Sequence, residues 1–486
     1  MALPPNAAVG GLVAAARFGL GPAPGEIAEA ARDPRGWVLE QLRPQSLPRE
    51  LAGLPTGIDE TRLFLLRRQS LAQARLAPRP PMEDETQPKL QREIRQARQL
   101  QTPPQSQTQP QTAPGVFGDG LARETYLREA AQRVLAQANS RAPVFERLVA
   151  FWSNHFTVSV QRPPVLGLAG AFEREAIRPY VLGRFEDMLL AVARHPAMLL
   201  YLDNAQSIGP NSRFGQARER GLNENLAREI LELHTLGVNG GYAQHDVRAL
   251  AMILTGWSIA RPQDDRPGAF MFRPQTHEPG DKRLLGQSYS GGESEAVKAL
   301  GDLARHPSTA RHIAAKLARH FIADDPPPAS VARIAEVFQS TGGDLGAVSR
   351  AVVAEDAAWD KPLSKLRSPN ELVVAALRLT GAGAKLEQRP LVNGLRRLGQ
   401  APFAAPSPAG WPDTAQDWVA PEAMVRRVEW AGQLAARLAA DHAPLDLFHQ
   451  SIAPSAGDET RLAVERAPSA RDGIALVLAA PEFQRR

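Results

Sequence analysis

Imidazole, carboxylate and amide side chains carry the acid–base and metal chemistry open to this chain. Cysteine is absent from its 486 residues. Cysteine nucleophiles, zinc–cysteine sites and iron–sulfur clusters are therefore excluded together. His155 closes a helical pattern over 143–156, in the last turn beside Leu148. A cation there suits the negative helix end, and a loop-edge His equally suits a ligand or an acid–base group. Asn225, Glu229 and Glu232 share a strip at the edge of an apolar face predicted over 223–236. Glu229 is the candidate base or ligand of that strip. The structural alternative pairs these carboxylates with Arg178 or Arg174. His234 falls in the middle of the apolar face and is expected in the core.

Asp203 and Asn204 follow a helix and suit a turn. Joined with Asn225 and Glu229, they would form an oxygen-ligand set for a divalent cation such as Mg²⁺ or Ca²⁺. His277, Glu278 and Asp281 lie at a turn between Phe270–Phe272 and Leu284–Tyr289. A flap carrying them would close over a pocket; a solvated polar turn is the plainer reading. The candidate catalytic residues are thus His155, Glu229 and His277, and the candidate metal ligands are Asp203, Asn225 and Glu229.

Several sharper chemistries fail on spacing. The chain has no His-Glu-x-x-His, no Glu-x-x-His pair, no Gly-x-Ser-x-Gly and no P-loop. The 310–321 helix carries Arg311, His312, Lys316, Arg319 and His320 without regular aromatic interleaving. It is expected to be a solvated face, not a nucleic-acid reader. Trp257 and Trp411 read as buried aromatics at helix ends.

The elements that must position these residues are mostly helices. Apolar residues recur at helical spacing through 6–76 and from 121 onward. Strand–helix alternation is missing, which excludes Rossmann and barrel folds. A single β-hairpin or flap is expected near 268–292. The stretch 86–117 is rich in Gln and Pro, lacks the apolar residues of a core, and reads as a mobile linker. The expected organisation is a helical part at 1–85, the linker at 86–117 and a main helical body at 118–486.

Charge adds little. Lys and Arg number 57 against 52 Asp and Glu, a net charge of +5. Only seven of the cations are Lys, so the basic balance is an arginine effect. That surplus does not argue for nucleic acid. No apolar run reaches the ~20 residues of an integral membrane segment. Residues 1–17 lack the basic start of a secretory signal, so the expected location is cytoplasmic.

Certain strings are distinctive in order. They are Phe151-Trp152-Ser153-Asn154-His155-Phe156, Arg178-Pro179-Tyr180, His195-Pro196-Ala197-Met198, Asn223-Glu224-Asn225-Leu226-Ala227-Arg228-Glu229, Leu254-Thr255-Gly256-Trp257 and Gly410-Trp411-Pro412. In this sequence they resemble a bacterial family known as domain of unknown function 1800, over nearly the whole chain. The resemblance implies no agreed activity. It does imply a partner, since relatives are often encoded beside a protein similar to alkaline-phosphatase-like enzymes. Relatives also carry export signals not seen here.

The sequence thus predicts a mainly α, multi-helix globular bundle with one small β-hairpin. Two functions are expected of it. One is a hydrolase-like enzyme with a polar His/Glu/Asp/Asn pocket that binds a divalent cation. The other is a non-catalytic helical scaffold or binding protein acting with a phosphatase-like partner. An enzyme would bring His155, Asp203, Asn225 and Glu229 to one concave pocket.

Overall fold

Helix starts in this chain are marked by proline at the first position, where no amide donor is required. Pro143–His155, Pro307–Phe321, Pro369–Thr380 and Pro421–Leu438 all begin this way. Pro369–Thr380 has the fullest set of signals. Ser368 and Glu371 form a reciprocal capping box, with Ser368 N donating to Glu371 Oε2 at 2.7 Å. Gly381, at φ 62°, ends the helix in the left-handed region.

The computed structural model describes residues 5–76, 119–217 and 221–486. The Gln/Pro stretch at 86–117 lies outside the described residues. The protein is mainly α-helical, with two small antiparallel sheets. None of the described helices is long and apolar enough to cross a membrane.

The single expected hairpin is instead two separate pairs. Strand β1 (Trp257–Ile259) pairs with β2 (Phe270–Phe272), with Trp257 opposite Phe272. Strand β3 (Lys282–Leu284) pairs with β4 (Gln287–Tyr289). Gly256 causes the difference. It adopts φ 86°, and a Cβ there would sit 2.8 Å from the Phe272 ring and 3.0 Å from the Arg273 carbonyl. The chain therefore leaves the Gln244–Leu254 helix and turns into a strand, where periodicity had continued the helix to Trp257.

Two other expected helices are interrupted. The stretch 169–182 is α over Ala169–Phe172, π over Glu173–Ile177 and 3₁₀ over Arg178–Tyr180. Residues 223–236 are α only over Asn225–Glu229, then π over Ile230–His234. A π turn widens the helix, so the ~100° per residue wheel stops applying beyond Glu229. Arg178 and Arg174 do not reach this helix. Arg178 makes a bidentate pair with Glu146, at 2.6 and 2.9 Å, and Arg174 pairs with Glu129 at 2.8 Å.

Among the described residues two large apolar cores form, beside a small cluster of Leu12, Ala16 and Ile27. One gathers Phe145, Trp152, Phe156, Phe185, Leu250, Trp257, Leu317 and Phe338. The other gathers Tyr126, Leu372, Val374, Leu395, Leu434, Phe448, Ile474 and Phe483. Buried cations lie between them and close backbone ends. Arg378 donates to the carbonyls of Gly21, Ala138 and Ser140 and pairs with Glu26 at 2.6 Å. Arg17 donates to the carbonyl of Ala358 and to Ser364 Oγ. Arg147 donates to the carbonyls of Ala16 and Gly19 and pairs with Glu371, which also lies 2.9 Å from Arg486 Nε. Lys365–Arg367 and Gln484–Arg486 run together through antiparallel backbone hydrogen bonds.

Removing one member of such a buried set strands the others. Glu371→Leu is predicted to lower stability by about 3–5 kcal/mol, read as a fall in the urea midpoint. An unchanged midpoint would show that Glu371 does not join the two cores.

Candidate functional site

A cavity of about 370 Å³ opens where the two cores meet. Phe151 and Val158 of the first core and Leu20 of the second all line it, and Phe403 packs against both cores. Polar groups reach it from several segments, and three of these matter most here. They are the end of the Pro143–His155 helix, the Pro307–Phe321 helix, and the loop through Trp411-Pro412-Asp413.

Asn154 fastens that loop. Its Nδ2 donates to the Trp411 carbonyl at 2.8 Å, and its Oδ1 accepts from Trp411 N at 2.7 Å. Gly410, at φ 84°, permits the approach, because a Cβ would fall 2.4 Å from the Asn154 carbonyl oxygen. The clamp brings Asp413 against the Pro307–Phe321 helix. Asp413 Oδ2 lies 2.7 Å from His320 Nδ1, and Oδ1 lies 3.6 Å from Lys365 and 3.8 Å from Arg486.

The electrostatics settle the proton. Burial pushes the Asp413 carboxyl up, but His320, Lys365 and Arg486 outweigh it and hold the group well below the carboxylate range. Burial pushes the His320 imidazole below its ordinary value, with Arg486 and Arg147 adding to this and Asp413 opposing it. At neutral pH the pair is a carboxylate and a neutral imidazole. Asp413 can only accept, so His320 carries its proton on Nδ1. Nε2 then holds a lone pair, and it is buried without a hydrogen-bond partner.

Lys316 lies one helical turn before His320 and also lines the cavity. Burial lowers its ammonium to about 8, with Arg319 adding to this and Asp413 opposing it. Beneath it lie His155, His234 and His312. His155 Nε2 donates to the His234 carbonyl at 3.1 Å, and His312 Nε2 donates to the Leu233 carbonyl at 3.0 Å. These carbonyls end the π turn, where intrahelical donors run out. His234 is in the core as expected, but neither of its ring nitrogens has a partner.

Of the five residues singled out for catalysis or metal binding, only His155 lines the cavity. It is buried, and burial followed by Lys316, His312 and His234 holds its imidazole well below the ordinary value. Asp203 is paired with Arg162. Asn225 is exposed, and its backbone amide donates to Asn223 Oδ1 at 2.9 Å. Glu229 is half-buried, its carboxyl pushed up by burial and by Glu232 against Arg228. Among the described residues, no group of three or more His, Asp or Glu could hold a metal ion. Asn204, the fourth oxygen donor considered, instead donates to the carbonyls of Leu254 and Trp257 at 3.3 and 3.1 Å.

His277 belongs to a different buried cluster. Its Nδ1 is 2.7 Å from the Thr255 carbonyl, and its Nε2 is 3.0 Å from Glu295 and 3.3 Å from Lys282. Glu278 accepts from Asn211 N and Nδ2 at 2.9 and 2.6 Å. This turn therefore ties the 209–215 loop to β3 and to the Glu293–Ala304 helix.

The residues that sequence reasoning missed are His320, Lys316 and Asp413. The 310–321 face is not uniformly solvated: Arg311 and Arg319 are exposed, while His312, Lys316 and His320 are partly buried. Their spacing of four was the available signal, because it puts all three on one side of the helix. Asp413 carried no signal beyond standing next to Trp411-Pro412.

A family model described as a protein of unknown function (DUF1800) matches residues 13–485, and the chain belongs to that family. No curated protein and no solved structure matches it.

The buried imidazoles make the fold acid-sensitive. Burial, with Lys316 and His312, lowers His234 from 6.5 to about 3. Above 6.5 neither the folded nor the unfolded state protonates it. As pH falls from 6.5 towards 3, the unfolded chain gains a proton that the native state refuses, so stability drops. His234→Phe removes this term. The stability lost between pH 7 and pH 5 is predicted to shrink by roughly 2 kcal/mol in the variant, as measured by denaturant titration at both pH values. An equal loss in both proteins would show that His234 is not kept neutral.

Proposed function

We propose that the cavity between the cores is the active site of a hydrolase-like enzyme working by acid–base chemistry. The observation that carries this reading is the Asp413–His320 contact of 2.7 Å in the cavity wall, with His320 Nε2 left unpartnered. Asp413 is the positioning residue, fixing the tautomer and stabilising the imidazolium once it forms. His320 Nε2 takes a proton from water, whose oxygen attacks the electrophilic carbon or phosphorus; the bond to the leaving-group oxygen breaks, and the imidazolium returns its proton to that oxygen. Lys316 adds positive charge one turn away, where negative charge develops on the substrate. His155 forms part of the cavity wall next to Lys316.

The divalent cation expected of Asp203, Asn225 and Glu229 does not fit the residues present. Asp203 already answers Arg162, and Asn225 points its chemistry to the surface. No step of the proposed chemistry is routed through a metal. The scaffold reading draws instead on Val425 and Val428, each more than half exposed on the Pro421–Leu438 helix. A phosphatase-like partner covering them would protect that helix from hydrogen exchange.

The active-site reading is tested with p-nitrophenyl esters of carboxylic and phosphoric acids. Hydrolysis should rise with pH through a pKa below 6.5 as the free imidazole becomes available, and fall again above about 8 as Lys316 loses its charge. His320→Gln and Asp413→Asn should each lower kcat by about 10²-fold or more with little change in KM. Full activity in a folded His320→Gln protein, or no hydrolysis by the parent, would overturn it.

A further inference from the structure

Among the described residues, the cations around the cavity divide into those with an acceptor and one without. Arg147 pairs with Glu371, and Arg133 pairs with Glu173 at 2.6 Å. Lys365 sits 2.6 Å from Asp324 and donates to the carbonyls of Arg319 and Asp413. Arg319 is exposed and donates to the Asp324 carbonyl at 3.2 Å. Lys316 lines the same cavity, yet it makes no hydrogen bond or ion pair with any described residue.

A partly buried ammonium without an acceptor is costly, and proteins normally pair such groups. The groups nearest Lys316 give it no direct pair, and Asp413 compensates it only from a distance. His155 and His312 donate to backbone carbonyls, His234 is neutral, and Asp413 lies beyond ion-pair distance with His320, Lys365 and Arg486 around it. The Lys316 Nζ is open to the cavity and not sealed from solvent, so an acceptor from outside the chain can reach it. The space suits a small molecule, since about 370 Å³ lies at the small end of ordinary ligand sites. It is too small for a folded partner.

We infer that the cavity binds a small molecule through an oxyanion, a carboxylate or phosphate oxygen, that pairs with the Lys316 ammonium. This rests on the active-site reading above and deepens it by naming the substrate class. Lys316 and His320 are four residues apart on one helix face, so their side chains start roughly 6 Å from each other. An anion held on Lys316 therefore sits within one helical turn of the general base. The reacting bond belongs to the anionic group itself or to an atom next to it. Long substrates with a remote anion do not fit this spacing.

The test is calorimetric titration with inorganic phosphate and with succinate, on the whole protein. The parent should bind at least one of them saturably. Lys316→Met should lose about ten-fold or more in affinity, Lys316→Arg should keep most of it, and Arg319→Met should change it by less than about two-fold. Removing a partly buried cation that makes no ion pair should leave the thermal midpoint of Lys316→Met unchanged or higher, which separates lost binding from misfolding. Phosphate binding alone marks phosphate esters as substrates, succinate alone marks carboxylic acids, and both results support the inference. Saturable binding of neither anion, or equal affinity in Lys316→Met, overturns it. His320→Gln keeps the two proposals apart. It should still bind the anion while losing turnover, so the anion site can stand if the acid–base reading falls, and the reverse.

Discussion

Glu371 joins the two halves of this protein. Its carboxylate is shared by Arg147, from the helix that carries the first core's aromatic residues, and by Arg486, on the strand-like segment beside Lys365–Arg367. The same side chain closes the capping box of the Pro369–Thr380 helix. Burial pushes its carboxyl up, yet Arg486, Arg147 and His320 prevail and hold it ionised well below the usual range. A buried ion pair is a weak source of net stability but a strong constraint, because each partner left alone is heavily penalised. Here the constraint fixes where one core lies against the other, and the cavity forms at that seam.

Most buried charge in the seam is neutralised by a carboxylate or a backbone carbonyl. Arg378 gathers carbonyls from two chain segments, Arg427 donates to the Arg367 carbonyl at 2.9 Å, and Lys365 bridges Asp324 and two carbonyls. Part of the arginine content is therefore internal cross-linking: Arg17, Arg147, Arg178, Arg367, Arg378, Arg427 and Arg486 are buried. Against this background Lys316 stands out as a cation that makes no hydrogen bond or ion pair with any described residue.

The histidines show how environment divides one side-chain type into several roles. His234 is held neutral among apolar groups. His155 and His312 spend one N–H each on the carbonyls that end a π turn. His277 belongs to an ionic cluster with Glu295 and Lys282. His320 alone combines a carboxylate on Nδ1, a place in the cavity wall and an unpartnered Nε2. Spacing along the chain could not separate these cases, because what distinguishes them is the identity of the atom facing each ring nitrogen.

Helical periodicity determined the mainly α class and the positions of most helices, since amphipathic spacing and proline starts are local properties. The ordered strings around Asn154 and Trp411 also identified the family from sequence. The breaks were less legible. Gly256 ends a helix because of the Phe272 ring and the Arg273 carbonyl that face it, which are contacts from another strand. The π turn at Ile230–His234 exists alongside imidazoles donated by two distant helices. Only the tertiary structure decided the site. Asn154 and Trp411 are 257 residues apart along the chain, and their clamp sets Asp413 against His320. Charge pairing and desolvation depend on through-space distance and on burial. The residues ranked first by type and spacing were therefore dispersed, while a helix face read as solvent-exposed became the cavity wall.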